Sequence, residues 1–220
     1  LPLTLRGGSP APVDTVHIAR QLRLKRLFLD IPLSALALLA LLPLFIIVAA
    51  IIKLTSPGPV MFRQRRVGLD GVEFDIFKFR SMRLDATDHS GVRQTIVNDD
   101  RVTPIGRLIR RTSIDELPQL WNILRGDMSV IGPRPMVKGQ LAAGTGYRQV
   151  VPYYDFRHTV RPGLSGWAQV NGLRGPTTDT VTSRQRIDHD CAYVQNVSLA
   201  LDIKIILLTL LREFLTGSGL

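Results

Sequence analysis

An uncharged apolar run, residues 31–52 (IPLSALALLALLPLFIIVAAII), constrains this chain more than any other feature. As an α-helix at about 1.5 Å per residue, the run would reach roughly 33 Å, close to the thickness of a bilayer's hydrocarbon core. The chain also carries 28 Lys and Arg residues against 18 Asp and Glu residues, a net charge of +10. The sequence therefore predicts a membrane segment next to a basic globular part.

The course of this segment through the membrane has two interpretations. Basic residues flank both of its ends, among them Arg23 and Arg26 before it and Lys53 and Arg63 after it, so the positive-inside rule favours placing both ends in the cytoplasm. Pro43 removes a backbone donor at the centre and predicts a kink, which divides the run into halves of roughly 14–18 Å, each too short to span. A re-entrant segment satisfies both observations, whereas a spanning helix that tolerates a proline is equally supported by the residues alone.

The positive charge predicts anionic partners: nucleic acid, anionic lipid headgroups or phosphorylated substrates. The chain contains none of the usual nucleic-acid signatures, namely zinc-finger Cys/His spacing, an aromatic RNP pattern or heptads after a basic region. We therefore expect membrane lipids and no nucleic acid among its partners. Cys191 is the only cysteine, so no intrachain disulfide can form.

Composition divides the chain into three parts. Residues 1–20 contain Pro, Gly and Ser with little periodicity and are predicted to be a flexible tail. Residues 21–58 form the predicted membrane anchor, which ends at the breaker sequence Thr-Ser-Pro-Gly-Pro at 55–59. Residues 59–220 form the predicted cytoplasmic domain, in which two strand-like stretches joined by Gly-Leu-Asp-Gly at 68–71 indicate a β-hairpin.

The remainder of the cytoplasmic part is mainly helical by pattern. The stretch 198–215 begins at a plausible cap, Ser198, and is either a helix packed on the core or a helix lying in the membrane interface. The predicted fold class is therefore α+β and mainly helical, with a membrane segment, a short hairpin and interfacial amphipathic helices. Strands are predicted at 60–67 and 72–79, helices at 105–111, 117–125 and 179–195, and polar loops at 83–100 and 139–146.

The densest chemistry lies in an acid pair, Asp115 and Glu116, that follows several arginines. Ser113 with Glu116 fits the S-x-x-E capping box, which gives Glu116 a purely structural interpretation. Asp115 has no such alternative beyond a first-turn acid that complements the helix dipole. A helix N-terminus with Arg110 and Arg111 nearby favours phosphate, and an ionised carboxylate there can act as a nucleophile or as a metal ligand.

Further basic residues stand in rigid or strand-end positions. Arg134 lies between two prolines, where it is either a fixed phosphate ligand or a solvated residue in a plain turn. Arg161 precedes a Pro-Gly pair in a similarly stiff sequence. Lys78 and Arg80 end the second predicted strand, where a sheet edge can present charge to a cleft. All four residues are therefore candidates to bind a substrate phosphate or nucleotide.

Together these segments resemble the bacterial sugar transferase family, the monotopic phosphoglycosyl transferases, over residues 25–211. The similarity is closest to the small members, which lack an additional multi-helix N-terminal region. The motifs occur in the family's order, and together they are far more specific than any one of them. They are KRLF at 25–28, the apolar run around Pro43, SPGPV at 56–60, KFRSM at 78–82, TSIDELPQL at 112–120, GDMS at 126–129, GPRP at 132–135, RPG at 161–163 and GWAQVNG at 166–172.

The resemblance implies a mechanism in two steps. Asp115 would attack the sugar-linked phosphate of a UDP-sugar, so that UMP leaves and a phosphosugar-aspartyl intermediate remains. The phosphate of a polyprenyl phosphate, such as undecaprenyl phosphate, would then attack that intermediate. The family also implies Mg²⁺ as cofactor, with Asp115 and Glu116 as its ligands. Its arginines that contact phosphate or nucleotide would correspond to Arg110 and Arg134.

The same resemblance implies where such an enzyme works and what it makes. The anchor would be a re-entrant hairpin broken at Pro43, with the active site on the cytoplasmic face of the bacterial inner membrane. The product would be the first lipid-linked sugar of an exopolysaccharide, capsule, O-antigen or glycoprotein glycan, and a homodimer is compatible with the family. Loops at 83–100 and 173–186 are expected to recognise the sugar, whose identity the residues do not specify.

Two positions depart from the family pattern. Leu42 stands before the central proline, where small members often have Ser, and Leu173 stands where Arg often follows the Asn-Gly pair, so Arg174 has no assigned role. Two alternatives to an enzyme follow from the residues: a basic membrane adaptor that binds anionic lipids, and an inactive spanning scaffold. Lipid binding by the adaptor would depend on net charge and not on Asp115.

Overall fold

The computed structural model describes residue 10 and residues 14–84, 99–175 and 179–216. The predicted loop at 83–100 lies largely outside the described residues. Of the predicted loop at 173–186, residues 176–178 lie outside them, and the loop prediction is wrong for residues 180–186, which begin a helix. Over the described residues the protein is mainly helical, with three small two-stranded sheets. The predicted mixture of many helices and little sheet is therefore confirmed.

The N-terminal part is one continuous helical stretch. It begins with α1 (Thr15–Lys25), passes through a π-helical turn (Arg26–Asp30) and continues as α2 (Ile31–Thr55). Asp14 caps its start, since one carboxylate oxygen accepts the backbone N–H groups of residues 16 and 17 at 3.0 and 3.1 Å. The helix thus begins inside the range predicted as a tail, and it is long and apolar enough to cross a membrane by length and composition.

The backbone stays helical through Pro43, which lies inside α2. One stripe of α2 packs on the globular part: Ser34, Val48 and Ile52 are buried, and the side chains between them at helical spacing are half-buried. The opposite face is exposed and apolar. Its larger side chains are Leu33, Leu36, Leu39, Leu42, Ile46, Ile47, Ile51 and Leu54.

The predicted hairpin is confirmed. Strand β1 (Met61–Val67) pairs antiparallel with β2 (Glu73–Phe79) across a turn in which Asp70 has a φ of 54°. Asn122 connects this hairpin to the next helices, because its side chain accepts the N–H of residue 77 at 3.0 Å and donates to the carbonyl of residue 75 at 2.8 Å. The hairpin is therefore fixed against the segment that carries the acid pair.

Two helices surround the acid pair: α3 (Pro104–Arg111) and α4 (Gln119–Arg125), with a 3₁₀ turn (Ile114–Glu116) between them. The capping-box interpretation is wrong. Ser113 takes a left-handed conformation (φ 55°) and its side chain makes no cap hydrogen bond, because the chain turns sharply there before α4 begins. The acid pair thus lies in the 3₁₀ turn that precedes α4 and not in the first turn of that helix.

A parallel pair of short strands follows, β3 (Ser129–Ile131) with β6 (Gly163–Ser165). A Cβ atom at Gly163 would lie against the backbone nitrogen of Gly132, closer than Cβ atoms approach backbone in real structures. This close approach explains glycine in the RPG motif. The predicted polar loop at 139–146 instead contains a small hairpin, β4 (Leu141–Ala142) with β5 (Thr145–Gly146).

The C-terminal half packs helices around these strands. In order they are α5 (Tyr147–Val150), a 3₁₀ helix (Tyr154–Thr159), α6 (Trp167–Val170), α7 (Thr180–Gln195) and α8 (Leu199–Thr216). The hydroxyl of Ser198 accepts the N–H of Leu201 at 3.3 Å, which confirms the predicted cap. Leu201 and Ile205 join the main core, whereas Ile203 and Leu207 are exposed. Placement of α8 in a membrane interface stays a prediction.

Candidate active site

The acid pair lies between the hairpin and the Pro-Arg-Pro segment. Three basic side chains surround it, those of Arg66, Lys78 and Arg134. Lys78 comes from the end of β2, and Arg134 comes from the Pro-Arg-Pro segment that follows β3. Asp115 is buried, with 7% of its surface exposed, and the side chain of Glu116 is 15% exposed. Elements that are distant in sequence thus place opposite charges together in a partly buried space.

Glu116 is held by two cations. Its Oε1 accepts from Lys78 Nζ at 2.7 Å and from Arg134 Nη2 at 2.5 Å, while its Oε2 accepts from Arg134 Nη1 at 3.0 Å. Burial opposes the charge of Glu116, but Arg134 and Lys78 outweigh it and hold the pKa of this carboxyl well below its usual value. Glu116 therefore stays ionised and carries a fixed, paired charge.

Asp115 has the opposite environment. Burial and the negative charge of Glu116 raise its pKa to about 6, against the attraction of Lys78, Arg110 and Arg134. Within residues 14–84, 99–175 and 179–216, no group donates a hydrogen bond or forms an ion pair to its carboxylate. Two adjacent carboxyls thus differ in availability: Glu116 is engaged, whereas Asp115 can react near neutral pH.

Arg66 is a site residue that sequence reasoning missed. Burial and the nearby charge of Arg134 lower its pKa to about 10, and Glu116 acts in the other direction. Its guanidinium donates to the side-chain oxygen of Gln64 at 2.5 Å and to the carbonyl of Pro135 at 3.4 Å. The register of the hairpin indicates this position, because residues 66 and 78 fall on the same face when 62 pairs with 78 and 66 with 74.

The other predicted phosphate ligands are placed differently. Arg110 is close enough for its charge to lower the pKa of Asp115, and Arg111 is exposed. Arg80 is buried and donates to the carbonyls of residues 56 and 57 at 2.8 and 2.7 Å, at the end of α2. Arg161 donates to the carbonyl of Gly126 at 2.7 Å, at the end of α4. The structure therefore does not bring Arg80 and Arg161 to the acid pair.

A metal ion would find few protein ligands here. Among the described residues, no group of three or more His, Cys, Asp or Glu side chains could hold one. Both oxygens of Glu116 already accept from cations, so Asp115 is the carboxylate with room for a ligand. Since Mg²⁺ often binds through one or two carboxylates and substrate phosphates, the donor set fits an ion that arrives with a diphosphate.

The cluster as a whole favours an anionic ligand. Arg66, Lys78 and Arg134 supply three positive charges against the two carboxyls, and Arg110 adds a fourth nearby. Burial lowers the pKa of Lys78, while Glu116 opposes that shift. The Arg134 side chain is 42% exposed, so it can reach a ligand in solvent as well as Glu116. Guanidinium groups bind phosphate well, and the arrangement suits attack by a carboxylate on phosphorus.

Comparison with known proteins identifies the family. The family described as bacterial sugar transferase matches residues 20–216. Over 196 residues the chain is 50% identical to the exopolysaccharide production protein PSS of Rhizobium leguminosarum bv. phaseoli. The aligned region covers 89% of this chain and 98% of that protein.

Two longer relatives carry more specific names. The chain is 45% identical over 215 residues, 98% of its length, to the UDP-glucose:undecaprenyl-phosphate glucose-1-phosphate transferase of Escherichia coli (strain K12). It is 46% identical over 191 residues, 87% of its length, to the UDP-N-acetylgalactosamine-undecaprenyl-phosphate N-acetylgalactosaminephosphotransferase of Aeromonas hydrophila. The matches span only 46% and 44% of those two proteins. The family match covers most of the chain, which therefore belongs to the bacterial sugar transferase family.

Proposed function

We propose that this protein transfers a sugar-1-phosphate from a UDP-sugar to undecaprenyl phosphate, as a membrane step in exopolysaccharide or related glycan synthesis. The observation that carries the proposal is the asymmetry of the acid pair. Glu116 is bound by Lys78 and Arg134, whereas Asp115 beside it has a pKa of about 6 and no bonded partner among the described residues. The names of the relatives support the two substrates.

The first step forms a bond between an oxygen of Asp115 and the phosphorus that carries the sugar. The bond from that phosphorus to the bridging oxygen breaks, and UMP leaves with the electron pair. In the second step an oxygen of undecaprenyl phosphate attacks the same phosphorus and displaces the Asp115 carboxylate. A covalent intermediate lets two bulky substrates use one site in turn.

The basic residues bind and orient the phosphates in both steps. Arg134 reaches solvent while its guanidinium holds Glu116, so it can bind a phosphate oxygen without losing its position. Lys78 and Arg66 add charge from the hairpin. Mg²⁺ is proposed as the cofactor, held by Asp115 and the substrate phosphates with Glu116 as a second acid, and it would neutralise phosphate charge.

The proposal places the active site on the cytoplasmic face of the inner membrane, with α2 as a re-entrant anchor. Both ends of the anchor touch the same globular part. Before α2, Asp30 accepts from the hydroxyl of Ser129 and the N–H of Val130, each at 2.9 Å. Near the other end, Ile52 packs with Phe79 in a shared cluster. These contacts support a segment that returns to one face more than one that carries its ends to opposite faces.

Assay of UMP release tests the proposal. The purified protein is incubated with Mg²⁺, undecaprenyl phosphate and a panel of UDP-sugars that includes UDP-glucose and UDP-N-acetylgalactosamine. We expect UMP release with at least one donor and loss of more than about a thousandfold in Asp115→Asn, since the nucleophile is removed. Asp70→Asn is the matched control, because Asp70 is exposed and Asn tolerates its positive φ.

Mass spectrometry addresses the intermediate directly. With a UDP-sugar and no lipid acceptor, the peptide that contains Asp115 should gain the mass of a phosphosugar. Near-normal turnover in Asp115→Asn would show that Asp115 is not the nucleophile. Lipid binding that follows net charge, without UMP release from any donor, would favour the membrane adaptor instead.

A further inference from the structure

The segment that presents Arg134 is held by hydrogen bonds to its backbone carbonyls. Each carbonyl of residues 133–136 accepts one, so the segment is fixed along its whole length. The donors are, in order, Gly163 N at 3.0 Å, Arg157 Nη2 at 2.6 Å, Arg66 Nη1 at 3.4 Å and Val67 N at 2.9 Å.

The donor to Arg134 itself is a buried ion pair. Arg157 lies in the 3₁₀ helix Tyr154–Thr159 and is 1% exposed. Its Nε and Nη2 lie 2.9 and 2.8 Å from Asp190 Oδ2 on α7, and the same Nη2 donates to the Arg134 carbonyl. Asp190 therefore orients Arg157, and Arg157 holds the backbone from which the Arg134 side chain extends to Glu116.

Stability alone gives a weak reason for this arrangement. Two charges buried together lose their hydration, so that such a pair is often no more stabilising than an apolar pair of similar size. A guanidinium with fixed donors nonetheless specifies position well. Arg134 must meet both oxygens of Glu116 and a substrate phosphate, and a shift of about 1 Å in such a group can cost about a hundredfold in rate.

We propose that Arg157 and Asp190 are positioning residues of the transfer reaction, which act through Arg134. The inference rests on the proposed function, since it concerns the same reaction. Neither side chain contacts the substrate in this scheme. Removing the pair displaces the Arg134 backbone and weakens the alignment of its guanidinium with the phosphate.

A double-mutant cycle tests this coupling. Steady-state UMP release is measured against UDP-sugar concentration for the unmodified chain, for Arg157→Lys, for Asp190→Asn, for Arg134→Gln and for both double variants with Arg134→Gln. With Arg134 present, we expect Arg157→Lys and Asp190→Asn to lower kcat by about 10- to 100-fold and to change KM for the UDP-sugar less. With Gln at residue 134, each should have less than about a threefold effect.

Asp202→Asn is the matched control. Asp202 is also a buried acid on a C-terminal helix, paired with Lys25 at 3.1 Å, but Lys25 donates to the carbonyl of Ile131 and not to that of Arg134. We expect Asp190→Asn and Asp202→Asn to change the melting temperature by comparable amounts. The fold-change in the rate of UMP release caused by Asp202→Asn should be the same whether residue 134 is Arg or Gln.

Three outcomes decide the question. Equal loss from Arg157→Lys in both backgrounds would overturn the positioning role while leaving the proposed function intact. Absence of UMP release from the unmodified chain with every donor would overturn the proposed function, and this inference with it. If Asp190→Asn does not fold, judged by its melting curve, Arg157→Lys retains the positive charge and supplies the same test alone.

Discussion

Asp115 and Glu116 are neighbours in the chain, yet their surroundings give them opposite acid strengths. Burial dominates at Asp115, whose pKa rises to about 6, whereas Arg134 and Lys78 dominate at Glu116 and keep its pKa well below the usual value. The difference arises because both cations bond to Glu116 and neither bonds to Asp115. At the scale of single residues, replacing each acid by its uncharged amide should therefore change the stability of the fold in opposite directions.

Asp115→Asn should stabilise the folded protein at neutral pH. The folded-state pKa is raised, so the folded state prefers the protonated acid and the ionised form costs stability above pH 6. An uncharged amide avoids that cost, which is up to about 3 kcal/mol at about 1.4 kcal/mol per pKa unit. Thermal melting at pH 7.5 should show a higher melting temperature for Asp115→Asn than for the unmodified chain.

The same measurement repeated across pH checks the cause. As pH falls from about 6 towards the unfolded pKa near 3.8, the unmodified chain should lose this disadvantage. The two melting temperatures should then converge. A difference that is unchanged between pH 7.5 and pH 4.5 would show that the gain does not come from the ionisation of Asp115.

Glu116→Gln should destabilise the protein. It leaves Lys78 and Arg134 without their shared partner in a partly buried place. Breaking a fully buried ion pair costs about 3–5 kcal/mol, and the exposure of Arg134 reduces our expectation to about 1–3 kcal/mol. Chemical denaturation at pH 7.5 measures the change, and a more stable Glu116→Gln would contradict the assigned contacts.

At the scale of elements, the KFRSM motif divides its charges between two tasks. Lys78 faces the acid pair, whereas Arg80, two residues later, turns to the end of α2. There its guanidinium donates to two carbonyls and to the hydroxyl of Ser56. Carbonyl groups at a helix end have no partner within the helix, so Arg80 fixes the junction between the anchor and the hairpin.

Arg80→Met should therefore lower stability without weakening substrate binding. Removing its hydrogen bonds leaves partly buried carbonyls without a protein donor, at an expected cost of about 1–2 kcal/mol. KM for the UDP-sugar should stay within about twofold in the protein that folds. Lys78→Met is the paired comparison and should raise KM. A large rise of KM in Arg80→Met would instead show that Arg80 contributes to binding of the substrate phosphates.

At the scale of the whole molecule, the anchor and the globular part form one packed unit. Lys25, just before the apolar run, is buried and pairs with Asp202 on α8. The stripe of α2 from Ser34 to Ile52 packs on the domain, and its opposite face is apolar and exposed. The exposed face suits lipid, and the contacts at both ends are those expected of the proposed re-entrant course.

Cysteine labelling tests that course. Val16 is 79% exposed on α1, and the Lys138 side chain is 83% exposed on the globular part. In Val16→Cys and Lys138→Cys, a membrane-impermeant maleimide should react only in inverted vesicles. Cys191 does not compete, because it is buried and burial raises the pKa of its thiol to about 12. Labelling of Val16→Cys in intact spheroplasts would indicate a spanning helix.

The sequence by itself determined the local elements and the chemical class. Apolar periodicity, turn residues and caps are local signals, so the hairpin at 61–79, helix α3 and the Ser198 cap were predicted close to their observed bounds. Ordered motifs identified the family and pointed to Asp115. The capping-box prediction was wrong because Ser113 adopts a left-handed backbone conformation. The spacing of Ser113 and Glu116 in the sequence does not specify that conformation.

Tertiary structure decided which charges meet. Arg80 and Arg161 stand in motifs as suggestive as those of Lys78 and Arg134, yet packing turns the first two towards helix ends. Arg66 joins the site only through the register of the hairpin. The physical reason is that local preference acts over a few residues, whereas burial and ion pairing depend on segments far apart in the chain. The same packing gives Asp115 its raised pKa and leaves Glu116 ionised.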